Sequence, residues 1–384
     1  MQVTQVYSLL NTVTSELIGD SALVKEDLSN VLDVGKTILN NNNVDNYVKT
    51  LINRIGKTIF VDRKYAGIVP DLLMDSWEFG SVMQKISCAM PDAVENKSFA
   101  LTDGTDYSPN VFYKPTVTQK LFNSKVTFEV NLSFTDKQVR ESFDNADQLN
   151  AFYSMLYTAV ENSLTLKIDS LAMRSVSNMI AETLHDDYGS ADLDASSHIK
   201  AVNLLYLYNQ TLDTPITVSE CLNNEYFLKF ATYTINNYAD RLKVASKLFN
   251  IGGNTTFTTA DNLKILLLSD FVNSCDVYLK SKTYNDSLVS LPKSIHVPYW
   301  QGSGFDYGFD SISKIHVKTT SGDEIETTGI LGVMFDRNGV AICNSDIRVT
   351  TNYNPRAEFY TNFYKYDCMY INDFNENFVV FFVA

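Results

Sequence analysis

A chain of 384 residues is far too long for a disulfide-stapled mini-protein and long enough to bury a sizeable core and carry a second lobe. Hydrophobic residues make up 45% and charged residues 20%, ordinary globular proportions that argue against wholesale disorder and a fibrous fold. Forty-five acidic against thirty-one basic side chains give a formal charge of −14, which repels phosphate backbones and disfavours DNA wrapping or polybasic membrane binding.

The first sixty residues carry apolar positions at helical spacing, with Val6, Leu10, Val13 and Leu17 in one stretch and Val44, Val48, Leu51, Ile55 and Ile59 in another. Asn40-Asn41-Asn42-Asn43 between them is a poor helix interior and a natural joint. Short amphipathic helices on polar hinges make an arm, each stripe covering either its own body or a neighbouring subunit.

Pro91 to Pro109 reads as irregular loop. From Val111 to Phe134 the period changes to two. Val126, Phe128, Val130, Leu132 and Phe134 alternate with Lys125, Thr127, Glu129, Asn131 and Ser133, which predicts a long β-hairpin turning at Phe122-Asn123-Ser124. Strands of about ten residues would reach roughly 30 Å, more than a compact domain needs from one hairpin.

Asn145 and Gln148 form a capping-box pattern that opens the strongest helical segment, from about Ala146 to Leu184 without Gly or Pro. Leu149, Phe152, Leu156, Val160, Leu164, Ile168 and Leu171 keep a three-to-four spacing, and one unbroken helix would approach about 58 Å. The alternative is two helices broken near Thr165-Leu166-Lys167.

His185 to Ser197, rich in Asp, reads as a polar loop and the best internal boundary. Beyond it lie a helix over Tyr226–Phe249, a buried strand at Ile265–Leu268 and a Gly-rich loop at Gly302–Gly308. The last hundred residues are strand-rich: Ile312–Thr319, Gly329–Phe335, Ile347–Thr351, Phe359–Ile371 and Phe378–Val383. The final segment is apolar on both faces and belongs inside a sheet.

Little in the sequence asks for catalysis. His185, His198, His296 and His316 are too scattered for a ligand pair on one helix face. Asp186, Asp187, Asp192 and Asp194 lack the graded spacing of a Ca²⁺ loop. Gly302-Ser303-Gly304 with Gly308 is not followed by helical pattern, which a phosphate loop requires. Five cysteines, odd in number and without a CxxC pair, predict free, mostly buried thiols and a reducing compartment. The N-terminus lacks a signal-peptide layout and no apolar run reaches membrane-span length, so folding in a cytoplasm is expected. A thiol enzyme pairing Cys221 with His198 is the catalytic alternative. The expectation is no catalytic residue, no cofactor and no metal. An arm and a hairpin that hold apolar surface away from the body point instead to a self-associating structural protein.

Two regions resemble a known family. Trp77-Glu-Phe-Gly80-Ser-Val-Met83-Gln-Lys85-Ile86 resembles the segment leading into the extended loop of tailed-bacteriophage major capsid proteins. Gly332-Val-Met-Phe-Asp336-Arg337-Asn-Gly339, Arg348-Val-Thr-Thr-Asn-Tyr353-Asn-Pro355-Arg-Ala-Glu358-Phe-Tyr360 and Asn372-Asp-Phe-Asn375-Glu376-Asn377 resemble the ending of capsid proteins from small phages of low-GC Gram-positive hosts.

The resemblance implies an α+β fold of the Hong Kong 97 type. Its N-terminal arm would be 1–58, the start of its peripheral domain 59–83 and its extended β-hairpin loop 84–133. The peripheral domain with spine helix would be 134–198, the axial domain 199–355, and the C-terminal strands closing the sheet 356–384. It also implies hexamers and pentamers of an icosahedral head that encloses double-stranded DNA without sequence-specific binding. Portal and possible scaffold or decoration proteins would be partners, no membrane would be involved, and the place of action would be the virion, assembled in the host cytoplasm. A tail or decoration protein of the virion is the alternative within that class. The candidate self-assembly contacts are Phe112, Lys114, Lys120, Lys125, Phe128 and Val130 on the hairpin, and Val6, Leu10 and Val13 on the arm. Lysine-to-asparagine cross-links, known in some relatives, have no local motif here, although Asn352 and Asn354 lie near the C-terminus.

Overall fold

A computed structural model of the chain describes isolated residues between 10 and 34, residues 72–74, residues 83–135 apart from 92 and 97–99, residue 137, and residues 146–189, 192–211, 215–280, 291–300 and 313–384. Strands β1 (Leu73–Met74), β2 (Met83–Cys88), β3 (Val117–Phe122) and β4 (Lys125–Thr135) precede the 43-residue helix α1 (Ala146–Tyr188). Next come β5 (Ala201–Asn203), α2 (Leu204–Asn209), α3 (Val218–Cys221), α4 (Glu225–Arg241), β6 (Leu263–Leu268) and α5 (Ser269–Cys275). The chain closes with β7 (Ile295–Val297), β8 (Ile315–Lys318), β9 (Glu324–Thr327), β10 (Ile330–Asp336), β11 (Val340–Asn354), β12 (Phe359–Asn372) and β13 (Phe378–Phe382). It is a mixed α+β protein of two compact units.

One unit joins Met1–Phe79, Ser124–Ala172 and Ile342–Tyr370. Its sheet has the order β1-β11-β12-β4. The alternation read from the sequence of β4 is present, with Phe134 buried and Phe128 and Val130 half-buried on one side and polar residues exposed on the other. The predicted hairpin around Phe122-Asn123-Ser124 is not formed. β4 pairs antiparallel with β12 over eleven residue pairs, whereas β3 pairs with β2 over six. The longer ladder brings Phe134 against Tyr360 with ring centroids 6.3 Å apart, and its side-chain hydrogen bonds include Thr127 to Asp367 at 2.7 Å and Ser133 to Thr361 at 3.1 Å. Cross-strand partners of this kind decide a strand's neighbour more strongly than adjacency in sequence.

The other unit joins Gly80–Asn123, Met173–Ala341 and Ile371–Ala384. Its main sheet has the order β5-β13-β10-β6-β7, with β13 antiparallel to β10 and parallel to β5. Every residue of β10 and β13 is buried, as two-faced apolar strands require of a sheet interior. Tyr238 of α4 stands edge-on to Phe381 with centroids 5.4 Å apart, and Tyr188 at the end of α1 does the same to Phe382 at 5.9 Å. Trp300, almost wholly buried, donates its indole N–H to the Ile330 carbonyl at 2.9 Å.

Three boundaries differ from expectation. α1 is continuous through Thr165, whose hydroxyl donates to the Glu161 carbonyl within the helix, and it runs on to Tyr188. Val160, Leu164, Ile168 and Leu171 are buried in a single stripe, after which burial spreads around the helix from Ala172 to Leu184. α4 starts where the Asn224 side chain caps Tyr226 and Phe227 but stops at Arg241, short of Phe249. Ser246 and Thr256 bond each other's backbones there, and Thr258 N–H reaches the Leu242 carbonyl at 2.8 Å, so the backbone leaves the helical ladder. Finally, residues 340–354 do not stay with 199–339, nor do 356–384 remain together: β11 and β12 lie in the four-stranded sheet, while β13 returns to the five-stranded one. The wholly apolar β13 needs neighbours on both edges, which β5 and β10 provide. The expected helical stretch from Val44 to Ile59, the Asn145 cap and the loop at 302–308 lie outside the described residues, while Leu10 and Thr14 are helical and buried.

Gly329 has φ +76° and a Cβ there would meet the backbone carbonyl of Val383, whereas Gly104, with φ +82°, has open space around it. Both alanines would bear the same positive-φ strain, so Gly329→Ala is expected to lower stability by about 1–3 kcal/mol more than Gly104→Ala, the size of an overpacking clash, here with the Val383 carbonyl. The difference is read from the denaturation midpoints of the two variants.

Candidate assembly surface

Strand pairing gives the β2–β3 ribbon two distinct faces. Register from Met83↔Phe122 to Cys88↔Val117 puts Lys85 directly across from Lys120. Side chains alternate along a strand, so Lys85, Ser87, Thr118, Lys120 and Phe122 share one face. Ser87 and Thr118 hydroxyls meet on it at 2.7 Å. Two lysines opposite one another repel, yet both converge on one carboxylate. Lys85 Nζ lies 2.6 Å from Asp373 Oδ2 and 2.6 Å from Glu376 Oε1, and Lys120 Nζ lies 2.8 Å from Asp373 Oδ1.

The Asp373 side chain is only 1% exposed. The turn between β12 and β13 holds it: Asp373 N–H donates to the Gly339 carbonyl at 2.8 Å, and Asn375 N–H donates to Asp373 Oδ1 at 3.1 Å. Burial pushes the Asp373 carboxyl upward, but the hydrogen bonds from Lys120 and Lys85 outweigh it and hold the group below its ordinary 3.8. Burial likewise opposes the charge on Lys85, and Asp373 with Glu376 reverses that, raising the amine above 10.5. Neither acid stood out in the sequence as a functional residue, because the signal is a cross-strand register rather than a spacing.

The opposite ribbon face carries Gln84, Ile86, Cys88, Val117, Gln119 and Leu121, and the strands continue into an irregular connection, residues 89–116. Ten of the twenty-one exposed large apolar side chains among the described residues fall between Ile86 and Leu121. Apolar surface concentrated in this way marks an interaction site.

The sequence-derived contacts separate into groups. Phe112, at 85% exposure, and Lys114 lie on the 89–116 connection, and Lys120 is on β3 in the ion-pair cluster. Lys125, Phe128 and Val130 lie on β4 in the four-stranded sheet, so they are not part of this ribbon. Leu10 is fully buried within the chain, which leaves it no surface for a neighbour in this arrangement; Val6 and Val13 lie outside the described residues.

Groups weighed for catalysis have structural duties. Burial pushes the Cys221 thiol up to about 12, and its S–H donates to the Thr217 carbonyl, the opposite of an activated thiolate. Cys221, Cys275, Cys343 and Cys368 are buried free thiols and Cys88 is an exposed one. Asp187 accepts from the backbone N–H groups of Lys200 and Ala201, and Asp186 and Asp187 both pair with the Lys200 amine. His185 lies 3.0 Å from Asp323. Among the described residues no cluster of His, Cys, Asp and Glu could hold a metal, and no helix is long and apolar enough to cross a membrane.

A family model described as Phi29-like phage major capsid protein matches residues 10–382. Comparison with curated proteins finds no match. The capsid structure of Staphylococcus phage Andhra is similar at 11% identity and a TM-score of 0.52, over 82% of this chain and 83% of that one. At that identity the likeness is one of fold. The capsid structure of the cyanophage P-SCSP1u aligns at 13% identity and a TM-score of 0.47, over 84% of this chain and 89% of that one.

Removing the shared carboxylate should release the ribbon. In Asp373→Asn, tryptic cleavage after Lys85 and Lys120 is expected to quicken about tenfold, worth about 1.4 kcal/mol; charge-assisted bonds give more when dry, but both lysines are partly exposed and screened. The clamp also has a pH window. Asp373, with its lowered folded value, stabilises fully above 3.8 and loses this as pH falls below 3.8 through the lower folded value; Lys85, raised when folded, stabilises fully below 10.5 and loses this as pH rises above 10.5 through the higher folded value. The protection of β2 and β3 amides, their exchange rate relative to the intrinsic rate of an unstructured amide at the same pH, is therefore expected to be greatest between these limits and to fall on either side.

Proposed function

The chain belongs to the family of Phi29-like phage major capsid proteins, and on that premise we propose that it builds an icosahedral head of hexamers and pentamers enclosing double-stranded DNA. As a major capsid protein it is a structural component of the virion, and its work is geometric rather than catalytic. The observation that carries the proposal is the family match over residues 10–382; the exposed apolar ribbon and connection support it, since surface of that kind is burdensome to a monomer and useful to an assembly.

In Hong Kong 97-type terms, the extended loop is the β2–β3 ribbon with its 89–116 connection, a shorter segment than 84–133 because β4 belongs elsewhere. α1 is the spine helix. The four-stranded sheet of β1, β4, β11 and β12 is the core of the peripheral domain, and the five-stranded sheet is the core of the axial domain. Residues 1–58 are the N-terminal arm. Head-to-tail contacts close into rings because the rotation closes, and several modest contacts per subunit resist internal pressure together. An acidic chain of −14 encloses DNA without gripping it. Portal, scaffold and decoration proteins complete the partner set, and assembly takes place in the host cytoplasm.

Purified protein, or the particle that carries it, is expected to show closed shells with hexagonal and pentagonal clusters in negative-stain images. A stable monomer at every concentration, with saturable turnover of a small molecule, would favour an enzyme instead.

A further inference from the structure

The turn between β12 and β13 is held from two sides. On one it takes the ribbon: Lys85 bonds both Asp373 and Glu376, each at 2.6 Å, and Lys120 bonds Asp373 at 2.8 Å. On the other it takes residues 246–258, in the loop that follows α4. Gly252 N–H donates to the Phe374 carbonyl at 2.7 Å, and Phe378 N–H donates to the Phe249 carbonyl at 2.8 Å. The Thr256 hydroxyl donates to Glu376 Oε2 at 3.4 Å, and the buried Asn377 amide donates to the Thr258 hydroxyl at 3.0 Å. A Cβ on Gly252 would collide with the Asn375 side-chain oxygen, so loop and turn are in close contact.

We propose that Glu376 makes this turn a coupling element: while the ribbon is clamped the 246–258 loop is held, and release of the ribbon from Lys85 loosens the loop. Glu376 belongs to both sides, with Oε1 receiving Lys85 and Oε2 receiving Thr256. Its side chain is only 17% exposed. A carboxylate so placed and stripped of its cation turns toward water, because an unpaired charge in low-dielectric surroundings is costly, and the bond from Thr256 is lost with that turn. The loop has little else to hold it at its tip, since Leu248 and Phe257 are 56% and 49% exposed and contribute little packing. Segments held by polar bonds rather than by buried apolar contacts are the first to open. Coupling of this kind is reciprocal, so whatever orders the loop also firms the ribbon. Every bond in the path lies within one chain and one compact unit, which makes the inference independent of the capsid reading.

The two lysines separate the coupling from simple loosening, because among the described residues Lys85 reaches Glu376 and Lys120 does not. Amide hydrogen exchange of full-length, unassembled subunits is followed at neutral pH. The loop reporters are the hydrogen-bonded amides of Gly252, Thr256 and Thr258, the ribbon reporters those of β2 and β3, and the β8–β9 hairpin is the internal reference. Lys85→Met is expected to quicken ribbon and loop exchange about tenfold, whereas Lys120→Met quickens the ribbon and changes the loop by less than about twofold. From the other side, Thr256→Val leaves both lysines and both acids in place and is expected to quicken ribbon exchange about threefold. Loop rates unchanged in Lys85→Met would overturn the inference, and so would equal loop quickening in the two lysine variants. A β8–β9 reference that quickens by the same factor would also overturn it, since the effect would then be a global loss of stability. Should Lys85→Met fail to fold, Thr256→Val decides alone, with an unmoved ribbon counting against the coupling.

Discussion

A buried carboxylate shared by two lysines sets the direction of the β2–β3 ribbon. Lys85 and Lys120 face each other across the ladder and would repel; Asp373 receives one on each oxygen and Glu376 takes a second bond from Lys85. Anchoring one face commits the other to solvent in the isolated chain. Because side chains alternate along both strands, the committed face is the apolar, uncharged one. A local ion pair thereby determines which face of the ribbon is left exposed.

The clamp draws on the closing strands as well. Asp373 sits in the short turn that takes the chain from β12 in one sheet to β13 in the other. β13 is buried along its whole length between β5 and β10, so the turn is fixed from its far end by one of the most apolar strands of the molecule. The Gly339 carbonyl accepts the Asp373 N–H and completes the placement. Stability of the five-stranded core and orientation of the ribbon are therefore linked through residues 373–377.

Features that depend on local pattern could be read from the residues directly. The long helix, the alternating β4 and the doubly apolar β13 each carry their period in sequence, and each is present with shifts at its ends. What the residues did not disclose was partnership. β4 looked like one half of a hairpin with its predecessor, yet eleven pairs with β12 outweigh a short connection to β3. Lys120, a candidate self-assembly contact, pairs within the chain with a buried acid, and that acid, Asp373, appeared only within a run quoted for its resemblance. Leu10, chosen for an outward contact, is wholly buried, because an amphipathic stripe shows that a face must be covered without saying by what.

The most direct test of this account is a side-chain-resolution cryo-microscopy map of the assembled particle. The account predicts that Lys85 and Lys120 keep Asp373 of their own chain and that Glu376 keeps Lys85. Finding either lysine turned away into solvent, or Asp373 paired with lysines of another copy, would contradict it.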